Sequence, residues 1–159
     1  MYQVRQAKWE DFDRILEVYA IARGFMIKTG NPTQWGTHYP PREMLEADIP
    51  AGNLWVVEEN EIHGVFAWFT DPDPTYGYIE DGAWLSDSPY GTLHRVASDG
   101  SGGVFAAVLD FAASRNPHIR IDTHADNKVM QHVLEKYGFK RTGIIYLEDG
   151  DPRIAYEKV

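Results

Sequence analysis

A glycine-rich stretch, Gly100-Ser101-Gly102-Gly103, stands between the strand-like Leu93-His94-Arg95-Val96-Ala97-Ser98 and the helically spaced residues Val104, Phe105, Val108, Leu109 and Ala112. Strand, tight turn and helix in that order line up backbone N–H groups at a helix start. Together with the helix dipole these groups attract an anion such as phosphate. Glycine lets the anion approach the backbone closely, although a plain flexible turn would have the same composition. The stretch lacks the Gly-Lys-Ser/Thr ending of a P-loop and is no Gly-x-Gly-x-x-Gly fingerprint. The chain has no cysteine, which excludes a thiol nucleophile, a zinc–thiolate site and disulfides. His118, His124 and His132 do not have the spacing of metal ligands, so no metal is expected.

The surrounding elements can be read from period and punctuation. Tyr2 to Arg5 alternates as a short strand. Ile15, Leu16, Tyr19, Ala22, Phe25 and Met26 recur at helical spacing behind the acidic Glu10, Asp11 and Asp13. Lys28 to Pro41 is a loop rich in Gly and Pro that also holds Gln34, Trp35, His38 and Tyr39. A second short helix then contains Met44, Leu45 and Ile49 and is expected to end at Pro50 and Gly52. Leu54 to Val57 and Ile62 to Phe69 form a hairpin, stopped by Asp71-Pro72-Asp73-Pro74. Tyr76 to Leu85 and Thr92 to Ser98 are expected to be strand.

After the glycine stretch, an amphipathic helix closes at Asn116-Pro117 and His118 to Thr123 alternates as a strand. Asn127 is placed to cap a further helix with Met130, Val133, Leu134 and Tyr137 on one face, and Gly138-Phe139 to end it. Lys140 to Leu147 and Arg153 to Val159 close the chain as two strands. Hairpins flanking one strand–helix–strand unit define an α+β protein, and 159 residues without repeat or linker suit a single domain.

Composition narrows the partners. The formal net charge of −9, with no Lys/Arg cluster, disfavours nucleic acid and would attract a cationic small molecule. No apolar run approaches the length of a membrane span and the N-terminus is not a signal peptide, so a cytoplasmic location without membrane association is expected. A monomer and a homodimer are both open.

The order of elements over nearly the whole chain resembles the GNAT acetyltransferase superfamily. Two motifs support the likeness: the strand–glycine turn–helix above, and Asn127 followed after a helix by Lys136-Tyr137-Gly138-Phe139. The resemblance implies a central, mostly antiparallel, seven-stranded sheet flanked by about four helices. It implies acetyl-CoA as co-substrate and a small amine as acceptor, with direct attack in a ternary complex. In that fold the fourth and fifth strands splay, and the pantetheine arm fills the gap like an added strand. Val96 and Ser98 would then offer backbone groups, Gly100, Ser101, Gly102, Gly103, Val104 and Phe105 would cradle the pyrophosphate, and Asn127 would lie beside the thioester. By the same likeness His94, Glu80 or His124 would take the amine proton, with Asp122 orienting His124. Trp35, His38 and Tyr39 would meet the acceptor.

The sequence departs from the family pattern twice. Gly100 occupies the position usually basic in the phosphate loop, and Phe105 a position usually small. Leu134 stands where many members carry the Tyr that protonates the leaving thiolate, with Tyr137 one turn further on. A silent acyl-CoA-binding sensor of the same fold is the alternative these departures favour; a small-ligand module without CoA would follow if the glycine stretch is only a turn.

Overall fold

The computed structural model describes residues 1–159. Seven strands form one sheet in the order β1-β2-β3-β4-β5-β7-β6, where β1 is Gln3–Gln6, β2 Leu54–Glu59, β3 Glu61–Phe69, β4 Gly91–Ser98, β5 Ile119–Thr123, β6 Lys140–Tyr146 and β7 Pro152–Lys158. Every neighbouring pair is antiparallel except β4 and β5. Four helices accompany the sheet: α1 Phe12–Lys28, α2 Arg42–Ala51, α3 Val104–Arg115 and α4 Lys128–Lys136.

Side-chain alternation along the central strands divides the core into two layers. Val56, Val65 and Ala67 pack with Ile15, Val18 and Tyr19 of α1 and Leu45 of α2. Their neighbours Val57, Phe66 and Trp68 point the other way, to Val108 and Ala112 of α3 and Leu134 of α4. The α4 ends follow the sequence signals. Asn127 Oδ1 accepts from Met130 N at 3.0 Å, and Gly138 takes φ +89° while Phe139 N donates to Leu134 O. Helix α2 runs through Pro50 to Ala51 and stops at Gly52 with φ +76°.

Strand β4 carries a bulge. Its register passes from Ala67↔His94 to Val65↔Ala97, so Phe66 faces both Arg95 and Val96. Arg95 lies at φ +53°, a conformation that costs a non-glycine residue about 1–3 kcal/mol. Tyr19 Oη donates to its carbonyl at 2.7 Å, and its guanidinium reaches Asp48 Oδ2 at 2.7 Å, which hold the bulge in place. Bulges bend a strand and raise its twist. Past the bulge β4 does not rejoin β5: their pairing is confined to Gly91↔Ile119 and Thr92↔Arg120.

The expected strand over Tyr76–Leu85 is absent. Residues 74–76 make one 3₁₀ turn, and the irregular chain beyond it touches β6 through a single bridge, Glu80↔Ile144. The close approach of the two backbones explains the difference. A Cβ on Gly82 would lie 1.9 Å from Thr142 O, which leaves no room for a side-chain-bearing ladder. Side chains anchor the segment instead. Arg120 is sandwiched between Trp84 and Tyr90, 4.0 Å from each ring centre, and its Nη2 donates to Ser86 O at 2.7 Å.

Candidate active site

The divergence of β4 and β5 opens a cleft of about 1100 Å³. Leu93–Ser98 line one wall and Ile121–Thr123 the other; the loop Asp99–Ser101 and the first residues of α3 close one end. Beyond Thr92 and Arg120 the facing edges of the two strands have no strand partner. Such an edge is a row of backbone donors and acceptors, and an extended chain laid in the gap would pair with it.

At the α3 end, the N–H groups of Val104, Phe105 and Ala106 belong to the first helical turn and have no partner within the helix. The loop before them is shaped by its own hydrogen bonds. Asp99 Oδ1 accepts from Ser101 N at 3.0 Å, while its Oδ2 accepts from Arg14 Nη2 at 2.9 Å and from His63 Nδ1 at 2.8 Å. Ser98 Oγ accepts from Gly100 N, and Tyr2 Oη donates to Gly102 O. Val96, Ser98, Gly100, Ser101, Val104, Phe105 and Asn127 all line the cleft. Gly102 and Gly103 stand off its wall, Gly103 serving as the α3 N-cap at φ +80°.

The histidines separate clearly. His94 lines the cleft on β4, beside the bulge, and its Nε2 lies 2.7 Å from Asp73 Oδ2. Asp73 Oδ1 accepts from Thr75 N at 2.8 Å and Thr75 Oγ1 at 2.6 Å, and Asp73 N donates to Tyr90 Oη at 2.9 Å. Burial pushes the Asp73 carboxyl up, but the hydrogen bonds from His94 and Thr75 outweigh it and bring its pKa to about 2. Glu80 lies elsewhere: it accepts from Tyr146 Oη on β6 and is no part of the cleft wall. His124 sits at the end of β5, where its Nδ1 accepts from Asp126 N at 2.9 Å and its Nε2 is 3.5 Å from Thr33 Oγ1. Asp122 does not orient it, being bound to Tyr76 Oη at 2.7 Å.

The loop between α1 and α2 folds over the other end of the cleft. Trp35 and Tyr39 line it, their rings 6.0 Å apart, whereas His38 is exposed and forms no part of the lining. Gln34 Oε1 accepts from Asn31 Nδ2 at 2.9 Å and from Asn127 Nδ2 at 3.1 Å, tying this loop to the start of α4. Asp73, Asp99, Asp122, Glu148, Asp149 and Asp151 bring carboxylates to the lining. Its two arginines are already engaged, Arg95 by Asp48 and Arg153 by Asp151 at 3.9 Å. Leu134 is fully buried in the α3/α4 core layer, and Tyr137 packs on Phe105, 5.9 Å between rings, outside the cleft.

Asp73 and Gln34 are functional candidates missed in the sequence, where Asp71-Pro72-Asp73-Pro74 has only the signature of a turn and Gln34 that of a loop residue. No local signal marks either. Each matters through a partner far along the chain.

A sheet split between a bulged fourth strand and the fifth, with a helix N-terminus at the mouth, is the arrangement that the GNAT resemblance implies. The protein is similar over 99% of its length to an acetyltransferase of the GNAT family from Streptococcus agalactiae, at 32% identity, 95% coverage of that chain and a TM-score of 0.85. A GNAT family acetyltransferase from Listeria monocytogenes shares the fold at 21% identity (99% of this chain, 94% of that one, TM-score 0.71). So does yncA from Salmonella typhimurium, solved with its cofactor acetyl-CoA, at 14% identity (98% and 92%, TM-score 0.61). No family model and no curated protein matches the sequence. The chain belongs to the GNAT family of acetyltransferases.

Proposed function

We propose that the protein transfers the acetyl group of acetyl-CoA to the nitrogen of a small amine by direct attack in a ternary complex. The observation that carries this reading is the cleft itself: unpaired β4 and β5 edges, free α3 N–H groups at one end, and the His94–Asp73 pair on the wall. The residues present fit acetyl-CoA. Val96 and Ser98 offer backbone to the pantetheine arm, and the Gly100–Phe105 turn offers N–H groups to the pyrophosphate. The gap also suits an extended arm, because neither facing edge has a strand partner beyond Thr92 and Arg120. The acetyl-CoA bound to yncA, a protein of the same fold, supports this use of the cleft.

In this reading His94 takes the amine proton, directly or through a water, as the new C–N bond forms and the thioester C–S bond breaks. Backbone N–H groups of β4 stabilise the negative charge that develops on the carbonyl oxygen. The leaving thiolate, with a thiol pKa of ~8.5 by analogy with cysteine, takes its proton from solvent. Leu134 has no proton to give, so no side-chain acid stands at the usual helix position. Six lining carboxylates and a net charge of −9 favour an acceptor that carries positive charge.

The test is thiol release from acetyl-CoA against a panel of cationic, neutral and anionic amines. The reading expects turnover with the cationic members. Tight CoA binding with no turnover on any amine would instead support a silent sensor of the same fold.

A further inference from the structure

We propose that Asp73 is a positioning residue for acetyl transfer: it holds the neutral His94 ring with its proton on Nε2, so that the Nδ1 lone pair faces the acceptor's proton. This rests on the reading of His94 as the base given above.

Donor and acceptor roles fix the tautomer. An ionised carboxylate can only accept. The 2.7 Å contact between His94 Nε2 and Asp73 Oδ2 therefore requires the proton on Nε2. A neutral imidazole has one donor and one acceptor nitrogen, which leaves Nδ1 as the acceptor. Nε2 is already engaged, so Nδ1 is the nitrogen available to a ligand in the cleft. The ring is further confined by Phe69 and Tyr76, with centroids 5.7 Å and 6.2 Å away.

Asp73 is itself fixed. Both donors of Thr75 converge on Oδ1, leaving Oδ2 to His94, and Tyr90 Oη accepts from the Asp73 N–H. The strong depression of its pKa agrees with a carboxylate kept charged. The other charged groups nearby are committed elsewhere: Asp122 to Tyr76, and Arg95, the next residue on β4, to Asp48.

The same geometry dictates what Asp73→Asn would do. Thr75 needs an acceptor at the Oδ1 position, so the side-chain carbonyl of the variant must stay there and its NH₂ must turn to His94. Nε2 then has to accept, and the proton moves to Nδ1, where the base is needed. Shape is preserved and the tautomer is reversed. A carboxylate on one imidazole nitrogen controls the other in this way in hydrolytic triads, where the amide variant yields the wrong tautomer.

The experiment uses the full chain labelled with ¹⁵N-histidine. Imidazole nitrogen shifts are read at a pH where His94 is neutral, and kcat and KM are measured for both substrates. Expected are the Nε2–H tautomer in the wild type, the Nδ1–H tautomer in Asp73→Asn, and a kcat lowered about 10²-fold or more at unchanged KM for acetyl-CoA. A wild-type ring with its proton on Nδ1 would overturn the proposal without any variant being made. So would an Asp73→Asn enzyme that switches tautomer yet keeps kcat within a few-fold. If the wild type acetylates no amine, the functional reading fails and takes this role with it. That failure is distinguishable, because the tautomer signals would still be as expected.

Discussion

The carboxamides of Asn127 and Gln34 meet at 3.1 Å across 93 residues of chain, and the contact closes the α1–α2 loop over the cleft. Asn127 uses its two ends differently: Oδ1 caps α4 through Met130 N, and Nδ2 donates to Gln34. Substitutions can therefore separate helix stability from loop placement. Asn127→Asp keeps the cap but turns a second carboxylate oxygen towards Gln34 Oε1. It should melt close to the wild type while the acceptor KM rises several-fold. Asn127→Ala should lose both, with about 1 kcal/mol of stability gone. Thermal melts and acceptor KM values for the two variants check this. Equal losses of stability would mean that the cap contributes nothing separate from the loop contact.

If the Gly100–Phe105 turn holds the pyrophosphate as proposed, binding there should depend on backbone rather than side chains. Gly103 sits at φ +80° as the α3 N-cap, so Gly103→Pro, with φ fixed near roughly −65°, cannot hold the turn. CoA binding should vanish in that variant. Ser101→Ala removes only a hydroxyl that touches His63 at 3.1 Å and should bind CoA within a few-fold of the wild type. Calorimetric titration with CoA distinguishes them, and a comparable loss in both would show that the anion lies elsewhere.

Much of this fold is legible in the sequence because its signals are local. The α4 cap at Asn127, the Gly138-Phe139 ending and the strand–glycine turn–helix before Val104 each lie within a few residues of the structure they specify. The segment Tyr76–Leu85 reads as strand because its residues are apolar and aromatic. Trp84 in fact covers Arg120, and Tyr76 and Ile79 pack with Ile145 of β6, while Tyr78 and Leu85 stay exposed. The apolar pattern alone does not separate these fates from a strand. Glu80 belongs to that segment and so falls outside the cleft. The bulge at Arg95 has no local mark at all. Arg is a poor choice for φ +53°, and only Tyr19 and Asp48, distant in the chain, make it tenable. Asp73 is hidden for the same reason, its meaning residing in His94, 21 residues further on.

The His63–Asp99 pair beside the glycine turn should give stability a pH dependence. His63 donates towards Asp99 through Nδ1 and lies 3.1 Å from Glu59 O through Nε2, an arrangement that only the imidazolium satisfies at both nitrogens. The Asp99 hydrogen bond accordingly raises the His63 pKa above its usual value near ~6.5. A raised folded-state pKa means that the contribution is complete below about pH 6.5 and fades as pH climbs through the folded value. Wild-type Tm should therefore fall relative to His63→Gln between roughly pH 6 and 8. Parallel Tm curves over that window would leave His63 without this role.

The two candidate bases, His94 and Glu80, should part company on substitution. His94 lies on the cleft wall with Asp73, and Glu80 binds Tyr146 away from it. At saturating acetyl-CoA, His94→Ala should lower kcat by about 10²-fold or more with CoA affinity intact, and Glu80→Gln should stay within a few-fold. The reverse order would move the base to the β6 side of the sheet.

The most direct measurement follows the acetyl group itself. Wild-type protein is incubated with acetyl-CoA carrying ¹³C in the acetyl carbons and with a cationic amine that supports thiol release, and the products are identified by mass spectrometry. One labelled acetyl group should appear on the amine nitrogen for each CoA thiol released, and the rate should collapse in His94→Ala. Thiol release with the label in free acetate, or bound acetyl-CoA that persists unchanged beside every amine, would contradict acetyl transfer as the work of this cleft.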